Sequence, residues 1–262
     1  HLAAADNVYY EVCNVPSAGG PTLEWEHKMV DTIVATESKL GVRHLVARNP
    51  GYHRDFPRRT IENPHPGVSI FNFHFPGTPY SAALQGDLNR VVADDETGFR
   101  GTSDFPYRRE GWEFILSGGG ILNNLDYSFT VEQPDGTFDP PPTQIGGGGP
   151  ALRRQLAILK RFIEGFDFIH MRTDNSIVKA GAVEGGVVQV LCAPGEAYAV
   201  YVCGGHRATL ALEISAGEYH AEWVNTLSGR KDKAQDVTHA GGPLALASPP
   251  YEEDIALRIV RK

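Results

Sequence analysis

The chain has 262 residues, of which 41% are hydrophobic, and a formal net charge of −8. This length allows one large domain or two smaller ones with a sizeable core. The acidic balance argues against a nucleic-acid partner, and the sequence has neither an apolar run that would span a bilayer nor a His pair with zinc-motif spacing. We expect no nucleic-acid, membrane or metal partner and no cofactor, and a ligand that is neutral or weakly charged.

The first 177 residues alternate short strands with helices or crossover loops. Segments rich in β-forming residues predict five strands, and segments with apolar residues at helical spacing predict three helices. This alternation favours a parallel sheet. The predicted strands cover residues 7–14, 44–47, 68–75, 88–93 and 121–127, and the predicted helices cover 22–39, 106–117 and 151–166.

The pattern changes after residue 177, where short strand patterns are separated by Gly, Pro and Ser. This spacing is typical of an antiparallel sandwich. The sequence thus predicts two domains, an α/β domain over residues 1–177 and an all-β sandwich over 178–262. The predicted sandwich strands include residues 187–192, 198–203, 209–214, 217–225 and 255–260.

The three cysteines do not identify the cellular compartment. A tight hairpin at Pro194-Gly195-Glu196 would place Cys192 opposite Tyr198, several positions from Cys203. A disulfide between these two cysteines would therefore be strained, and we expect unpaired thiols. The first six residues lack the basic and apolar regions of an intact signal peptide.

Polar residues follow each predicted strand of the first domain. Because reactive groups of parallel α/β barrels lie at the carboxyl ends of the strands, the set predicts a functional site there. For any single residue, capping of a helix or termination of a strand is the favoured interpretation. Glu96 follows an apolar strand and precedes Gly98, so it is a candidate catalytic carboxylate, with a solvated acidic turn as the alternative. The set is Asn14, Arg48, Asn49, His74, Asp95, Glu96, Asn123, Asn124 and Asp126.

Two segments, DETGF at 95–99 and PYRREGWEFILSGGGILNNLDYSF at 106–129, resemble clan A glycoside hydrolases. The resemblance is greatest to apiosidase-like barrel proteins with a C-terminal sandwich of the type named for collagen binding. Residues 152–171, 217–223 and 246–249 extend it over almost the whole chain. It implies a fold in which the first domain is a partial TIM-type (β/α) barrel, strands four to eight, followed by the antiparallel sandwich.

The resemblance also implies residue roles and a carbohydrate substrate. Glu96 corresponds to the nucleophile of a retaining glycosidase, and Asn14 corresponds to the residue that contacts the sugar 2-hydroxyl. Tyr127 is a candidate for stacking on a sugar ring, with packing as the alternative. A secreted or periplasmic bacterial protein is implied as well. The pocket would be shaped by Asn49, His74, Asn124 and Asp126, although a core histidine is an equal alternative for His74.

The sequence departs from the family at the proton donor. The family motif has Asn-Glu-Pro at the end of strand four, whereas this chain has Asn14-Val15-Pro16. A general acid contributes roughly 10²–10⁴-fold to a rate, so ordinary hydrolysis should be weak unless another acid substitutes. Glu11 has the same strand parity as Val15 and is the candidate, with a structural carboxylate as its favoured alternative. Glu24 and Glu26 are further candidates, with a solvated helix start as their alternative.

The number of predicted strands is the second departure. A full barrel has eight strands in about 250 residues, whereas the predicted first domain has five in 177. The predicted strands match strands four to eight, and two parallel edges would be left open. The rest of the barrel is either cut away, supplied by another chain or replaced by self-association, so a homo-oligomer is one expectation.

Three hypotheses on function remain open. The leading one is a carbohydrate-active protein of retaining glycosidase descent, with weakened activity. The second is a degenerate barrel that binds glycan or protein without catalysis. The third is an engineered or truncated version of an active enzyme in which valine replaces the catalytic glutamate.

Overall fold

The structure, a computed structural model, describes residues 4–14, 20–50, 61, 63–75, 80–181 and 185–262. The chain divides into two compact units, and each is treated separately. The first contains residues 1–97 and 119–124, and the second contains residues 98–118 and 125–262.

The first unit is built on a curled, five-stranded parallel sheet with the strand order β1-β2-β3-β4-β5. Each strand is short because a polar or glycine-containing segment follows it in the sequence. The elements of this unit are β1 (Tyr9–Glu11), α1 (Leu23–Leu40), β2 (Leu45–Arg48), β3 (Ile70–His74), α2 (Tyr80–Leu84), β4 (Val91–Thr97) and β5 (Ile121–Asn124).

Parallel pairing aligns these strands so that side chains of one parity share a face. Glu11 pairs with Ala47, Ala47 with Ile70, and Asn72 with Ala93, so these residues lie on one face, which we call the site face. The opposite face carries fully buried apolar residues. These are Val46, Phe71, Phe73 and Val92.

Helix α1 begins and ends at residues suited to those positions. The hydroxyl of Thr22 accepts a hydrogen bond from the backbone N–H of Trp25, and Gly41 adopts a left-handed conformation after the last turn. Glu26 is buried and pairs with Arg48 of β2 on the opposite face of the sheet. The alternative that placed Glu26 at a solvated helix start is therefore wrong, because Arg48 compensates its buried charge.

The second unit combines two helices with two antiparallel sheets. The six-stranded sheet has the order β12-β11-β14-β9-β8-β6, and the three-stranded sheet has the order β13-β10-β7. The helices are α3 (Asp104–Leu116) and α4 (Pro150–Glu164). The strands are β6 (Arg172–Thr173), β7 (Val178–Ala180), β8 (Val187–Ala193), β9 (Ala197–Cys203), β10 (Thr209–Ile214), β11 (Gly217–Asn225), β12 (Lys231–His239), β13 (Gly242–Ala247) and β14 (Asp254–Arg261).

Alternation along the strands of the second unit gives each sheet two distinct faces. In β9, Tyr198, Val200 and Val202 belong to the buried core with residues of the three-stranded sheet such as Leu210 and Leu212. Tyr201 has the other parity, and its ring stacks on the fully buried Trp112 of α3 at 5.5 Å between centroids. The six-stranded sheet thus packs on the sandwich core with one face and on helix α3 with the other.

The predicted fold class, a partial α/β barrel followed by an antiparallel sandwich, is confirmed. The fourth strand is predicted to end at residue 93 but continues to Thr97, because Glu96 and Thr97 pair with His74 and Asn124. The alternative of a solvated acidic turn at residues 94–96 is therefore wrong. The predicted domain boundary divides the chain at residue 177, whereas α3 and α4 belong to the compact unit of the sandwich.

The cysteine prediction is confirmed in its geometry. Cys192 pairs with Tyr198 and Cys203 pairs with Val187 in the β8–β9 hairpin, and the three thiols are free. Among the helices that the structure describes, none combines the length and the hydropathy needed to cross a membrane.

A buried ion pair holds α3 against β14. Nε of Arg108 donates to Oδ2 of Asp254 at 3.0 Å, and both side chains are almost completely buried. Asp254 also accepts hydrogen bonds from the hydroxyls of Tyr201 and Thr226. Loss of the cation would leave the Asp254 carboxylate buried without its charge partner.

We therefore expect Arg108→Met to lower the free energy of unfolding of the second unit by about 3 kcal/mol, because one charge of a buried pair is removed. Denaturant unfolding followed by tryptophan fluorescence measures this change. Lys160→Met is the matched control, since Lys160 forms an exposed pair with Glu164 and should change the free energy by less than about 0.5 kcal/mol. Equal effects of the two substitutions would contradict the structural role of the buried pair.

Candidate functional site

A β-bulge in β4 creates the centre of the candidate site. Phe73 pairs with Asp94, but the next residue of β3, His74, pairs with Glu96, so Asp95 is the extra residue. The bulge leaves the backbone carbonyl of Asp95 outside the regular ladder, and Nδ2 of Asn123 donates to it at 3.0 Å. Successive side chains of a regular strand point to opposite faces, whereas this bulge allows Asp95 and Glu96 to approach the same side chain.

That side chain is His74, the last residue of β3. Its Nε2 lies 3.2 Å from Oδ1 of Asp95, and its Nδ1 lies 3.0 Å from Oε2 of Glu96. The imidazole is only 2% exposed, whereas the two carboxylates are 23% and 29% exposed. A buried ring is thus held between two carboxylates that reach solvent.

Glu11 extends this cluster onto β1. Its Oε2 accepts a 2.6 Å hydrogen bond from Nδ2 of Asn72, which lies two residues before His74 on the same face of β3. Asn49, a buried residue directly after β2, is a further polar neighbour of Glu11 and acts to lower its pKa. Three neighbouring strands or strand ends therefore contribute to one polar cluster.

At both Glu11 and His74, burial and most of the neighbouring polar groups shift the pKa in opposite directions. Burial raises the pKa of Glu11 above its usual value, and Asp95 adds to this shift, while Asn72, His74 and Asn49 act in the other direction. Burial by itself would lower the pKa of His74, but the carboxylates of Asp95, Glu96 and Glu11 outweigh burial and raise it. Glu11 therefore keeps its proton, and His74 its positive charge, to a higher pH than in the unfolded chain.

The structure brings together four of the eight predicted site residues and places the others elsewhere. Glu11, Asn49, His74 and Glu96 belong to the polar cluster described above. Asn14 is exposed, and Oδ1 of Asn124 accepts a hydrogen bond from the hydroxyl of Thr97 at 3.0 Å. Val15, the residue at the predicted proton-donor position, lies outside the described residues.

Asp126 and Tyr127 belong to the second compact unit. The carboxylate of Asp126 accepts hydrogen bonds from the backbone N–H groups of Ser128 and Gly149 and from Arg153. Burial raises the pKa of Asp126, but hydrogen bonds from the hydroxyl and backbone N–H of Ser128 and from Arg153 outweigh burial and lower it. The ring of Tyr127 packs edge-on against Phe99. Both side chains thus have structural partners within their own unit.

The sequence interpretation missed two members of the cluster. Asn72 lies inside a segment that reads as a buried strand, but its parity with His74 could have identified it, because both alternate with Phe71 and Phe73. Asp95 was named as a strand-end residue but was given no role in the site, because a bulge leaves no clear sequence signal. Among the described residues, no group of three or more His, Cys, Asp and Glu side chains is arranged to hold a metal ion.

The chemistry available to the cluster is that of carboxylates with different proton affinities. A partly exposed carboxylate beside a histidine can act as a nucleophile or base. A carboxyl group whose pKa is raised by burial keeps its proton to a higher pH and can donate it to a leaving group. Glu96 and Glu11, respectively, have these surroundings.

Comparison with solved structures shows that the fold is similar to that of several glycoside hydrolases. A protein described as a glycoside hydrolase matches 100% of this chain and 66% of its own, with a TM-score of 0.66 and 16% identity. A family 5 glycoside hydrolase from Bacteroides vulgatus matches 97% of this chain and 62% of its own, with a TM-score of 0.66 and 13% identity.

A third match is the catalytic domain of GH30 xylanase C from Talaromyces cellulolyticus, with a TM-score of 0.53 and 11% identity over 97% of this chain. This chain spans 62–66% of the length of these three structures. No family model matches the sequence, and no curated protein matches it. At these identities the likeness concerns the fold.

Proposed function

We propose that this chain is the part of a glycoside hydrolase that carries the catalytic nucleophile, Glu96, and that it acts by the retaining mechanism. The observation that carries this proposal is the position of Glu96 at the carboxyl end of β4, beside His74, in a glycoside hydrolase fold. The carboxyl ends of the strands are where barrel enzymes hold their reactive groups.

In the retaining mechanism, the Glu96 carboxylate attacks the anomeric carbon while an acid protonates the leaving oxygen. A covalent glycosyl–Glu96 ester forms, and water then displaces Glu96 from it. The group that donated the first proton removes a proton from that water, so the protein returns to its starting state.

Glu11 is the proposed proton donor because Val15 has no proton to give. Burial raises the pKa of Glu11, which favours the protonated acid that the first step needs. Its hydrogen bond with Asn72 fixes the carboxyl group on the site face, where His74 and Asp95 are neighbours.

The remaining predicted residues of the first unit are proposed to bind sugar. Asn14 is exposed, three residues after β1, and would contact the 2-hydroxyl, as the clan resemblance implies. Asn49, His74 and Asn124 would shape the pocket. Asp126 and Tyr127 belong to the second unit, where Arg153 and Phe99 are their partners.

Glu96→Gln should reduce the hydrolysis of activated aryl glycosides to background, because an amide oxygen does not replace the nucleophilic carboxylate. The measurement is release of the aryl group, together with NMR of the first sugar product, which should retain its anomeric configuration. Glu132→Gln, a change at an exposed glutamate, is the matched control and should leave the rate unchanged. Inversion of configuration, or full activity of Glu96→Gln, would exclude Glu96 as the nucleophile.

Val15→Glu should raise kcat/KM for glycosides with poor leaving groups by roughly 10²–10⁴-fold, because a general acid is restored at the position that the clan uses. Activated aryl glycosides need little protonation and should gain much less. The same pair of substrates tests Glu11→Gln, which should slow only the poor leaving group. If Glu11→Gln affects neither substrate, Glu11 has a structural role.

Binding of glycan or protein without catalysis is the second candidate function. Val15 at the proton-donor position favours it, since loss of the general acid removes hydrolysis before it removes sugar binding. In that case sugars bind measurably, aryl glycosides are not turned over, and Val15→Glu leaves turnover absent.

The site face suggests a partner that covers it. Among the described residues, β1 pairs only with β2 and β5 pairs only with β4, which leaves two parallel edges. The first residues of three strands lie on this face and are exposed apolar side chains, Tyr9 at 41%, Leu45 at 50% and Val91 at 39%, whereas Val46 on the opposite face is 1% exposed. In a closed barrel such positions are packed interior layers.

One side of helix α1 also carries exposed apolar side chains. Its His27 packs against His65, and Asp31 lies 3.2 Å from the same ring, so this side of α1 contacts the chain before β3. The other side carries Trp25 and Leu40, which are 43% and 60% exposed. We propose that self-association covers this flank together with the edges of the sheet, with a further polypeptide segment of the same fold as the alternative.

Native mass spectrometry at micromolar concentration should therefore detect a homo-oligomer, because the exposed edges and apolar side chains favour pairing with a second copy. Trp25→Glu should shift the distribution towards monomer, since it puts a charge on the proposed interface. Lys28→Glu, which also changes an exposed residue of α1, is the control. A stable monomer would exclude self-association.

A further inference from the structure

We propose that Asp95 is a positioning residue that keeps His74 positively charged, so that the Glu96 carboxylate lies beside a cation rather than beside a neutral ring. The inference rests on the proposed role of Glu96 as the nucleophile. It assigns to Asp95 a function that follows from the bulge in β4 and from the two nitrogen–carboxylate distances.

The protonation state of His74 follows from its two neighbours. Asp95 accepts a hydrogen bond from Nε2, which lies 3.2 Å from its Oδ1. Oε2 of Glu96 lies 3.0 Å from Nδ1 without a hydrogen bond to it, so its attraction to the ring is that between opposite charges. The arrangement is favourable when the ring is positively charged, because both carboxylates then lie beside an opposite charge.

The surroundings of His74 favour the same state. The charged groups that face it are Glu11 from β1 and Asp95 and Glu96 from β4, so three carboxylates share one cation. Asn72, on its own strand, is neutral and bonds to Glu11. Burial alone would lower the pKa of His74, and these carboxylates together raise it.

The bulge is what makes two contacts possible. Without the extra residue, alternation would direct Asp95 and Glu96 to opposite faces, and His74 would have one carboxylate partner on β4. Asp95 therefore acts through His74 and has no need to touch the sugar.

This arrangement predicts how the site responds to pH. As the pH rises through the raised pKa of His74, the ring loses its positive charge and Glu96 loses the cation beside it. The orientation of the nucleophile, and with it kcat, should therefore decline on the alkaline side, above the ordinary titration range of histidine. Removal of the Asp95 charge should move this decline to lower pH, since one of the groups that hold the proton is gone.

The test is Asp95→Asn, followed by NMR of the protein labelled with ¹⁵N and ¹³C in histidine, with the His74 signals assigned by their loss in His74→Gln. We expect His74 of the unsubstituted protein to titrate above the ordinary value of about 6.5, with both nitrogens protonated below that point. In Asp95→Asn the midpoint should fall by about one unit. Asp87→Asn removes an exposed carboxylate of the same unit and should leave the midpoint unchanged.

A His74 that titrates at or below the ordinary value, or a midpoint that Asp95→Asn leaves in place, would overturn the proposal. Asp95→Glu restores the charge and should restore the raised midpoint, which separates the charge from a general loss of structure. The kinetic readout is the alkaline limb of kcat for an activated aryl glycoside, which should shift with the NMR midpoint while KM changes little.

The two readouts also separate this inference from the proposed function. If the NMR midpoints behave as expected but Glu96→Gln does not affect turnover, the role of Asp95 stands and the nucleophile assignment fails. If Glu96 is essential but the His74 midpoint is insensitive to Asp95, the nucleophile assignment stands and the inference fails.

Discussion

The site depends on the register of a parallel sheet. Parallel strands place residues of equal parity on one face, and all strands present their carboxyl ends at one edge. Glu11, Asn72 and His74 meet for this reason, although more than 60 residues separate the first from the others. The opposite face, with residues such as Phe71 and Phe73, supplies the burial that holds this register. A shift of one residue in any strand would exchange the two faces and break up the cluster.

In the described strands of the parallel sheet, the regular alternation of side chains between the two faces is interrupted at the bulge in β4. This interruption lies next to the proposed catalytic residue, Glu96. A bulge removes regular ladder bonds, so it persists only where other groups compensate it. Nδ2 of Asn123 provides one such bond, to the carbonyl of Asp95, and the backbone N–H of Phe75 donates to the carbonyl of Glu96. The gain is a histidine in contact with two carboxylates, an arrangement that regular pleating forbids.

Sequence reasoning assigned roles to four of the six residues of the polar cluster because strand ends can be located from patterns. Glu11, Asn49, His74 and Glu96 were found by asking which polar residues follow or share parity within apolar strands. The bulge was not found, since a two-against-one pairing depends on the neighbouring strand. β12 was missed because its sequence, KDKAQDVTH, alternates polar residues with few large apolar ones. The buried position of Glu26 was missed because its partner, Arg48, lies more than 20 residues away.

Burial of the site face by a partner would change the charge interactions within the polar cluster, because it would lower the local dielectric constant. Charge interactions weaken as water gains access, and a carboxyl group loses its raised pKa as its burial decreases. Tyr9, Leu45 and Val91 leave the lower part of the site face open to solvent, directly below Glu11 and Asn72. A partner that packs on these side chains would exclude that water. It would thereby strengthen both the proton affinity of Glu11 and the attraction between His74 and its carboxylates. A partner that closes the sheet would therefore also change the acidity of the groups on the site face, among them the proposed catalytic pair.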